Sequence, residues 1–340
     1  MINRLQWGIL GTGMIARRFA TDLATSRTGR LVAIGSRGQE TADRFAADFG
    51  GVRAHGSYEA LLADPAVQAV YVSPPHPAHL EWIERAAAAG KHILCEKPLT
   101  LRRADTQRAI ETARARGVFL MEAFMYRCHP QTEKIATLIA DGAIGRVRTI
   151  RAAFCIAVPF DPAHRLFSRS LGGGGILDLG CYPVSYSRRM AGAANGRTFV
   201  EPDQFKALGH RLAQTGVDDH AVAIATFPGE IVAELSCGST ARHDNAVQIH
   251  GEAGWIDLRA PYHPGDWPGA DVFTLHRAGC EPEAVRTSVA EPLYAVEADT
   301  VAAALAAGAR ESAAMSHADS LGNATVLDDW LAQVGVSYEC

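Results

Sequence analysis

Long apolar runs are absent from this chain of 340 residues. No uninterrupted stretch approaches the roughly 20 residues that cross a bilayer, so no membrane partner is expected. Blocks of like charge are absent as well: 33 Lys and Arg stand against 37 Asp and Glu, a net charge of −4. A nucleic-acid partner would call for a clustered basic footprint, and there is none. Cysteine is scarce and scattered, at positions 95, 128, 155, 181, 237, 280 and 340, with no Cys-x-x-Cys. That pattern speaks against a disulfide framework or a structural zinc site, and for a reducing, cytoplasmic compartment. The opening Met1-Ile2-Asn3-Arg4-Leu5 runs straight into a first strand and leaves no room for a secretory signal. Lysine is rare too: only Lys91, Lys97, Lys134 and Lys206, against 29 arginines. Where a plain surface charge suffices this chain uses Arg, so each compact, tunable ammonium is worth inspecting.

Several catalytic signatures are also missing. There is no His-Glu-x-x-His, no Gly-x-x-x-x-Gly-Lys phosphate loop, and no Tyr with Lys four residues on. His76 and His79 are three apart and could share a metal, but loop or pocket-wall histidines are the plainer reading. Ser236-Cys237-Gly238-Ser239-Thr240 resembles a thiol nucleophile loop; it ends a strand and lacks a base, so Cys237 is read as packing.

What is present fits a folded two-domain protein. Apolar residues make up 48% and charged residues 21%, which excludes disorder and coiled coil. The first third alternates buried strands (5–10, 31–35, 69–72, 92–95, 118–121) with helices, the pattern of a parallel sheet covered on both faces. After about residue 123, strands follow one another without intervening helices, joined by turns such as Pro228-Gly229, as in an antiparallel meander. The end of the chain returns to helix, with Leu321, Ala324, Leu327, Leu331 and Val334 on one face. The expected architecture is α/β: a doubly wound Rossmann domain over 1–122, then an α+β domain over 123–340 with a large, mainly antiparallel open sheet. Helices on only one side of that sheet would leave an apolar face, so a homodimer or tetramer is expected through it.

Gly11-Thr12-Gly13-Met14-Ile15-Ala16 sits between the first strand and the first helix, where a dinucleotide-binding turn belongs. Gly11 permits the tight turn, Gly13 lets backbone approach a pyrophosphate, and Ala16 allows close helix–strand packing. The alternative is a plain strand–helix turn. An NAD site wants an acid at the end of the second strand; this chain has Gly35-Ser36-Arg37-Gly38 there, and Ser36 and Arg37 suit a 2′-phosphate. NADP is therefore the expected cofactor, with NAD possible. Arg37 could instead be one of many solvated arginines.

The fourth strand ends in Cys95-Glu96-Lys97-Pro98, which puts Lys97 at the edge where open α/β sheets bind ligands. Pro98 fixes the local backbone, and a cis bond there could stiffen the lysine's aim. Later, Gly172-Gly173-Gly174-Gly175 would let backbone come close to something bulky such as a cofactor ring. A helix starting near Gly175 puts Asp178 and Tyr182 on one face. With Lys97 these would form a proton-transfer group. The competing reading, equally open from spacing alone, is a first-turn acid and a partly buried packing tyrosine.

Together, Gly11 to Ala16, Glu96-Lys97-Pro98, Met121 to Arg127 and Gly173 to Pro183 resemble the glucose–fructose oxidoreductase/inositol dehydrogenase (Gfo/Idh/MocA) family. Thr215 to Asp219 and the stretch from Tyr294 to Leu305 look like its dimeric dihydrodiol dehydrogenase and NADP-dependent D-xylose dehydrogenase branch. The resemblance implies Lys97 as catalytic lysine, Asp178 as active-site aspartate and Tyr182 as proton-transferring tyrosine, with no metal. It implies His79 and Glu96 near the nicotinamide ribose and Arg127 on the pocket wall. The cofactor-binding set is then Gly11, Thr12, Gly13, Met14, Ile15, Ser36, Arg37, Ser73, His76, His79, Glu96, Lys97 and Arg127. An exchangeable NADP(H) is implied because the export signal and long arm of periplasmic relatives are missing. The implied chemistry is oxidation or reduction at a carbinol carbon of a sugar, polyol or dihydrodiol. A second hypothesis, a dinucleotide-sensing regulator without turnover, would have been favoured by loss of Lys97 or Tyr182.

Overall fold

Strands covered on both faces lose the polar alternation of half-exposed ones, and the first sheet shows this directly. The computed structural model describes residues 4–338. The strands β1 (Leu5–Leu10), β2 (Gly29–Gly35), β3 (Arg53–His55), β4 (Ala69–Val72), β5 (His92–Glu96) and β6 (Leu120–Ala123) form one parallel sheet, ordered β3-β2-β1-β4-β5-β6. Every residue of β4 and of β6 is buried. Helices α1 (Met14–Leu23), α2 (Gln39–Ala47), α3 (Tyr58–Leu62), α4 (His79–Ala88) and α5 (Arg103–Ala115) fall between the strands. Leu10, Val70, Val72, Ile83, Ile93, Ile110 and Leu120 share one buried cluster. Each such side chain contributes about 1.5–3 kcal/mol by leaving water. The order reverses between β1 and β4, and that switch point is where sheets of this kind bind ligands.

The second sheet has β7 (Val147–Cys155), β8 (Gln204–Arg211), β9 (Asp218–Phe227), β10 (Ile231–Gly238), β11 (Val247–Gly251), β12 (Gly254–Leu258), β13 (Val272–Arg277) and β14 (Glu283–Arg286). Its order is β14-β13-β12-β11-β7-β10-β9-β8. The simple meander expected from the sequence is corrected here: β7 is inserted between two meanders and pairs in parallel with β10. From Ala221 to Ala225, β9 alternates buried and exposed residues, the signature of a sheet covered on one face. The remaining helices are α6 (Met125–Cys128), α7 (Pro130–Ala140), α8 (Cys181–Ala194), α9 (Leu293–Ala306) and α10 (His317–Val334).

The chain divides into two units, but not at the single cut at 122/123. The first takes residues up to Cys128 together with Ala290–Leu321; the second takes His129–Val289 and the residues from Gly322 on. Hydrogen bonds explain the return of the chain to the first unit. Asp299 on α9 accepts from Ser26 Oγ and Thr28 Oγ1, both at 2.5 Å. The Leu120 amide donates to the Arg310 carbonyl at 3.1 Å, and His317 Nε2 lies 3.0 Å from the Leu120 carbonyl.

Candidate active site

The glycine turn after β1 is built by two different constraints. Gly11 has φ +109°, and a Cβ there would fall 2.8 Å from Ser73 Oγ. Ser73 in turn donates to the Leu10 carbonyl at 2.8 Å, locking the ends of β1 and β4 together. Gly13 is under no such constraint: φ is −72°, and nothing lies within 4 Å of where its Cβ would be. It caps α1 without a side-chain bond, so the first amides of that helix remain available to an anion. Met14 beside it is 85% exposed, with Thr12 and Ile15 half-buried. An open backbone cradle at a helix start fits a pyrophosphate.

At the end of β2, Ser36 is buried and its amide donates to the His55 carbonyl at 3.0 Å. Arg37 is exposed and shares a cavity of about 470 Å³ with Ser57, Tyr58, Pro74 and Trp82. Burial pushes the Tyr58 phenol up, and the Arg37 charge opposes it. Glu59 and Glu81 also line the cavity, and both pair with Arg85, at 2.6 and 2.8 Å.

The loop after β5 is pinned from several sides. The Lys97–Pro98 peptide is cis. The Leu99 amide donates to Glu122 Oε1 at 2.9 Å. Glu96 accepts from the Tyr71 hydroxyl, and its other oxygen accepts from the Lys97 amide at 3.2 Å. Burial, then the Glu96 charge, push the Tyr71 phenol well up, which keeps it a donor. His79 is wholly buried: Nδ1 lies 3.0 Å from the Pro98 carbonyl and 3.2 Å from that of Leu99, and Nε2 lies 2.9 Å from that of Pro74. Burial holds this imidazole below its ordinary value, although the carbonyls pull the other way. Its nitrogens face the carbonyls of two loops rather than turn towards His76, whose ring sits edge-on at 5.7 Å. Arg127 is sequestered: Nη2 lies 2.5 Å from Asp319 in a pair with both side chains 1% exposed, and Nε donates to the Ala314 carbonyl at 3.1 Å. Burial works against that charge, and Asp319 and Tyr126 together outweigh it.

In the second unit, Asp178 lies in a five-residue π-helical turn, Ile176–Gly180, that runs into α8. Such wide turns recur at functional sites. Arg165 grips Asp178 with two bonds, Nη1 to Oδ1 at 2.8 Å and Nη2 to Oδ2 at 3.2 Å. Tyr182 opens α8, 4% exposed, with its ring edge-on to Phe154 at 5.0 Å and tilted on Tyr262 at 5.3 Å. The glycine run has a different reason from the one its sequence suggests. Gly174 has φ +113°, and a Cβ there would meet Asp218 Oδ1 at 2.4 Å and the Tyr338 hydroxyl at 3.0 Å. A Cβ on Gly173 would meet the carbonyls of Arg165 and Leu166, each at 2.7 Å. Asp218 also accepts from the Ile176 amide at 2.7 Å. The protein's own groups crowd these glycines, and Asp218 anchors the turn that carries Asp178.

Residues 5–124 match the family described as an oxidoreductase family with an NAD-binding Rossmann fold, and residues 132–257 match the GFO/IDH/MocA C-terminal domain. Along nearly its whole length the chain is 36% identical to trans-1,2-dihydrobenzene-1,2-diol dehydrogenase of Xenopus tropicalis, covering 98% of this chain and 99% of that one. The chain belongs to the GFO/IDH/MocA oxidoreductase family. The Mus musculus enzyme of the same name is 32% identical over 98% of each chain. Among solved structures, a 3-ketoreductase from Actinomadura kijaniata in complex with NADP and TDP-benzene is similar at 30% identity, with a TM-score of 0.85 over 98% of both chains. This GFO/IDH/MocA member is thus an oxidoreductase with a nicotinamide-dinucleotide-binding unit.

Sequence reasoning missed three residues that hold the candidate residues in place: Arg165, Asp218 and Tyr71. Arg165 has no local signal, because its partner is thirteen residues on and across a loop. Asp218 was noted only as part of a motif. Tyr71 could have been found: a tyrosine in a fully buried strand must place its hydroxyl somewhere.

Proposed function

We propose that this oxidoreductase uses NADP(H) to interconvert a carbinol and a carbonyl in a sugar, polyol or dihydrodiol, as a D-xylose 1-dehydrogenase or trans-dihydrodiol dehydrogenase does. The observation that carries the reading is a buried phenol, Tyr182, one turn from a carboxylate that Arg165 holds in a fixed orientation. The names of the relatives support the dihydrodiol class. When bound, the nicotinamide supplies hydride exchange at its C4. In the oxidation direction Tyr182 takes the hydroxyl proton, and in reduction it returns one. Lys97 holds the substrate oxygen and, as a cation, favours the deprotonated phenol. Asp178, oriented by Arg165, positions the substrate. Gly11, Thr12, Gly13, Met14 and Ile15 would hold the pyrophosphate, Ser73, His76 and Glu96 would hold the nicotinamide end, and the buried His79 would support the loops behind it. Arg127, spent on Asp319, would shape the pocket wall.

The preference for NADP over NAD rests on Ser36 and Arg37 standing where an acid would be. A cytoplasmic location belongs to the same reading, on the strength of scattered free cysteines. The test is NADPH formation with a panel of aldoses, polyols and dihydrodiols. Turnover with one class is expected; none with any would overturn the substrate assignment. On the best substrate, Arg37→Asp should weaken NADP by about 2–3 kcal/mol and spare NAD, as loss of a charged pair does. Equal effects on both cofactors would remove Arg37 from the 2′-phosphate.

A further inference from the structure

Among the described residues, two imidazoles and a carboxylate converge at one place in the second unit, on strands that the proposed chemistry does not use. His210 on β8 and His220 on β9 are direct cross-strand partners, and Asp219 precedes His220. Their rings stack, with centroids 5.2 Å apart and planes 17° apart. Both turn Nδ1 towards the same oxygen: Asp219 Oδ1 lies 2.7 Å from His210 and 3.2 Å from His220. A register shift between His210 and Arg211 breaks the alternation at this end of the ladder, an irregularity of the kind that re-aims side chains.

The carboxylate is held in place from behind. Its Oδ2 accepts from Thr240 Oγ1 at 2.9 Å, and the Asp219 carbonyl accepts from the Ser239 amide at 2.7 Å. Asp219 is 5% exposed, whereas both histidine side chains are more than half exposed. The arrangement is therefore a fixed anionic ligand at the base and two exposed imidazoles at the mouth. Two ligands each about 2.1 Å from one tetrahedral ion lie about 3.4 Å apart. From 2.7 and 3.2 Å, the His210 nitrogen would move outward by about 0.7 Å and the His220 nitrogen by about 0.2 Å to admit an ion. Two nitrogens and one oxygen suit a borderline divalent cation, and the exposed side leaves a position for water.

We propose that His210, Asp219 and His220 form a binding site for a divalent transition-metal ion of the zinc type, with Thr240 positioning the carboxylate. The ion would take the place of the hydrogen bond between His210 and Asp219 and tie β8 to β9.

The experiment is calorimetric titration of the full-length, chelator-treated protein with Zn²⁺, with His210→Ala/His220→Ala and Thr240→Val alongside. Wild type should take up one Zn²⁺ per chain at this site and melt at a higher temperature with it, since a ligand of the folded state stabilises it. The double variant should lose that uptake and its thermal gain, and Thr240→Val should weaken it about tenfold, as loss of a partner behind a ligand does. Both histidines are surface residues, and the melting curves without metal verify that the variants fold. A His243→Ala control, at an exposed His–Asp pair elsewhere, should bind as wild type. No Zn²⁺ uptake by wild type, or uptake unchanged in the double variant, would overturn the proposal and leave a hydrogen-bonded imidazole–carboxylate cluster.

Discussion

Glu297 is the residue whose energetics stand out most. It is wholly buried on α9, and neither carboxyl oxygen has a hydrogen-bond partner among the described residues. Burial first, and the Glu96 charge second, push this carboxyl well above the ordinary range. In the unfolded chain it titrates near about 4.3. Above that pH the unfolded chain has released the proton and the folded one retains it. Folding stability must therefore fall as pH rises through the window between the two values, by up to about 1.4 kcal/mol per pH unit. Glu297→Gln keeps the shape and removes the titration. Urea unfolding from pH 5 to 8 should show a flatter decline in the variant than in wild type. Parallel curves would mean that Glu297 ionises inside the folded protein. The stretch from Tyr294 to Leu305 stands out in the sequence only by its resemblance to the family branch, and nothing in it marks Glu297 as buried.

At the level of elements, the strands with strong apolar runs were legible and the weak ones were not. The three-residue β3 and the polar β14 are too short or too hydrophilic for periodicity to register. The place of β7 between two meanders is invisible locally, because a strand's partner is chosen by the whole sheet. The glycine turns were legible as special positions, but their reasons differ, and substitution separates them. Gly174→Ala forces a side chain at φ +113° into Asp218 and should lower stability by several kcal/mol. Gly13→Ala meets nothing and should melt as wild type while binding NADP more weakly. Melting curves and cofactor titrations on both variants check the pair. An unperturbed Gly174→Ala would show that the turn is looser than its packing indicates.

For the whole molecule, the outer face of the second sheet carries Leu208, 77% exposed, and beside it Val222, Ile224 and Val232 at 39–54%. Leu208 pairs with Val222 across the strands, so the apolar residues adjoin one another. We propose that the Leu208–Val222–Ile224–Val232 part of this face joins two or four copies and leaves the neighbouring His210–His220 pair outside the contact. Light scattering at micromolar concentration tests this, and a monomer there would contradict it. The division into two kinds of sheet was readable from the change in hydrophobic pattern near residue 123. The return of 290–321 to the first unit was not, since it depends on hydrogen bonds to Asp299 and the Leu120 carbonyl that no periodicity encodes. Lys97, Asp178 and Tyr182 stood out for another reason: each follows a strand end or a glycine run in a chain that otherwise spends few lysines. The central claim is that Tyr182 moves the substrate proton. It is tested most directly by steady-state turnover of Tyr182→Phe with NADP on the best substrate of the panel. Removing one phenolic oxygen should leave the fold and NADP affinity intact and slow turnover at least about a hundredfold. Near-normal turnover by Tyr182→Phe would contradict the account and pass the proton to Lys97 or Asp178.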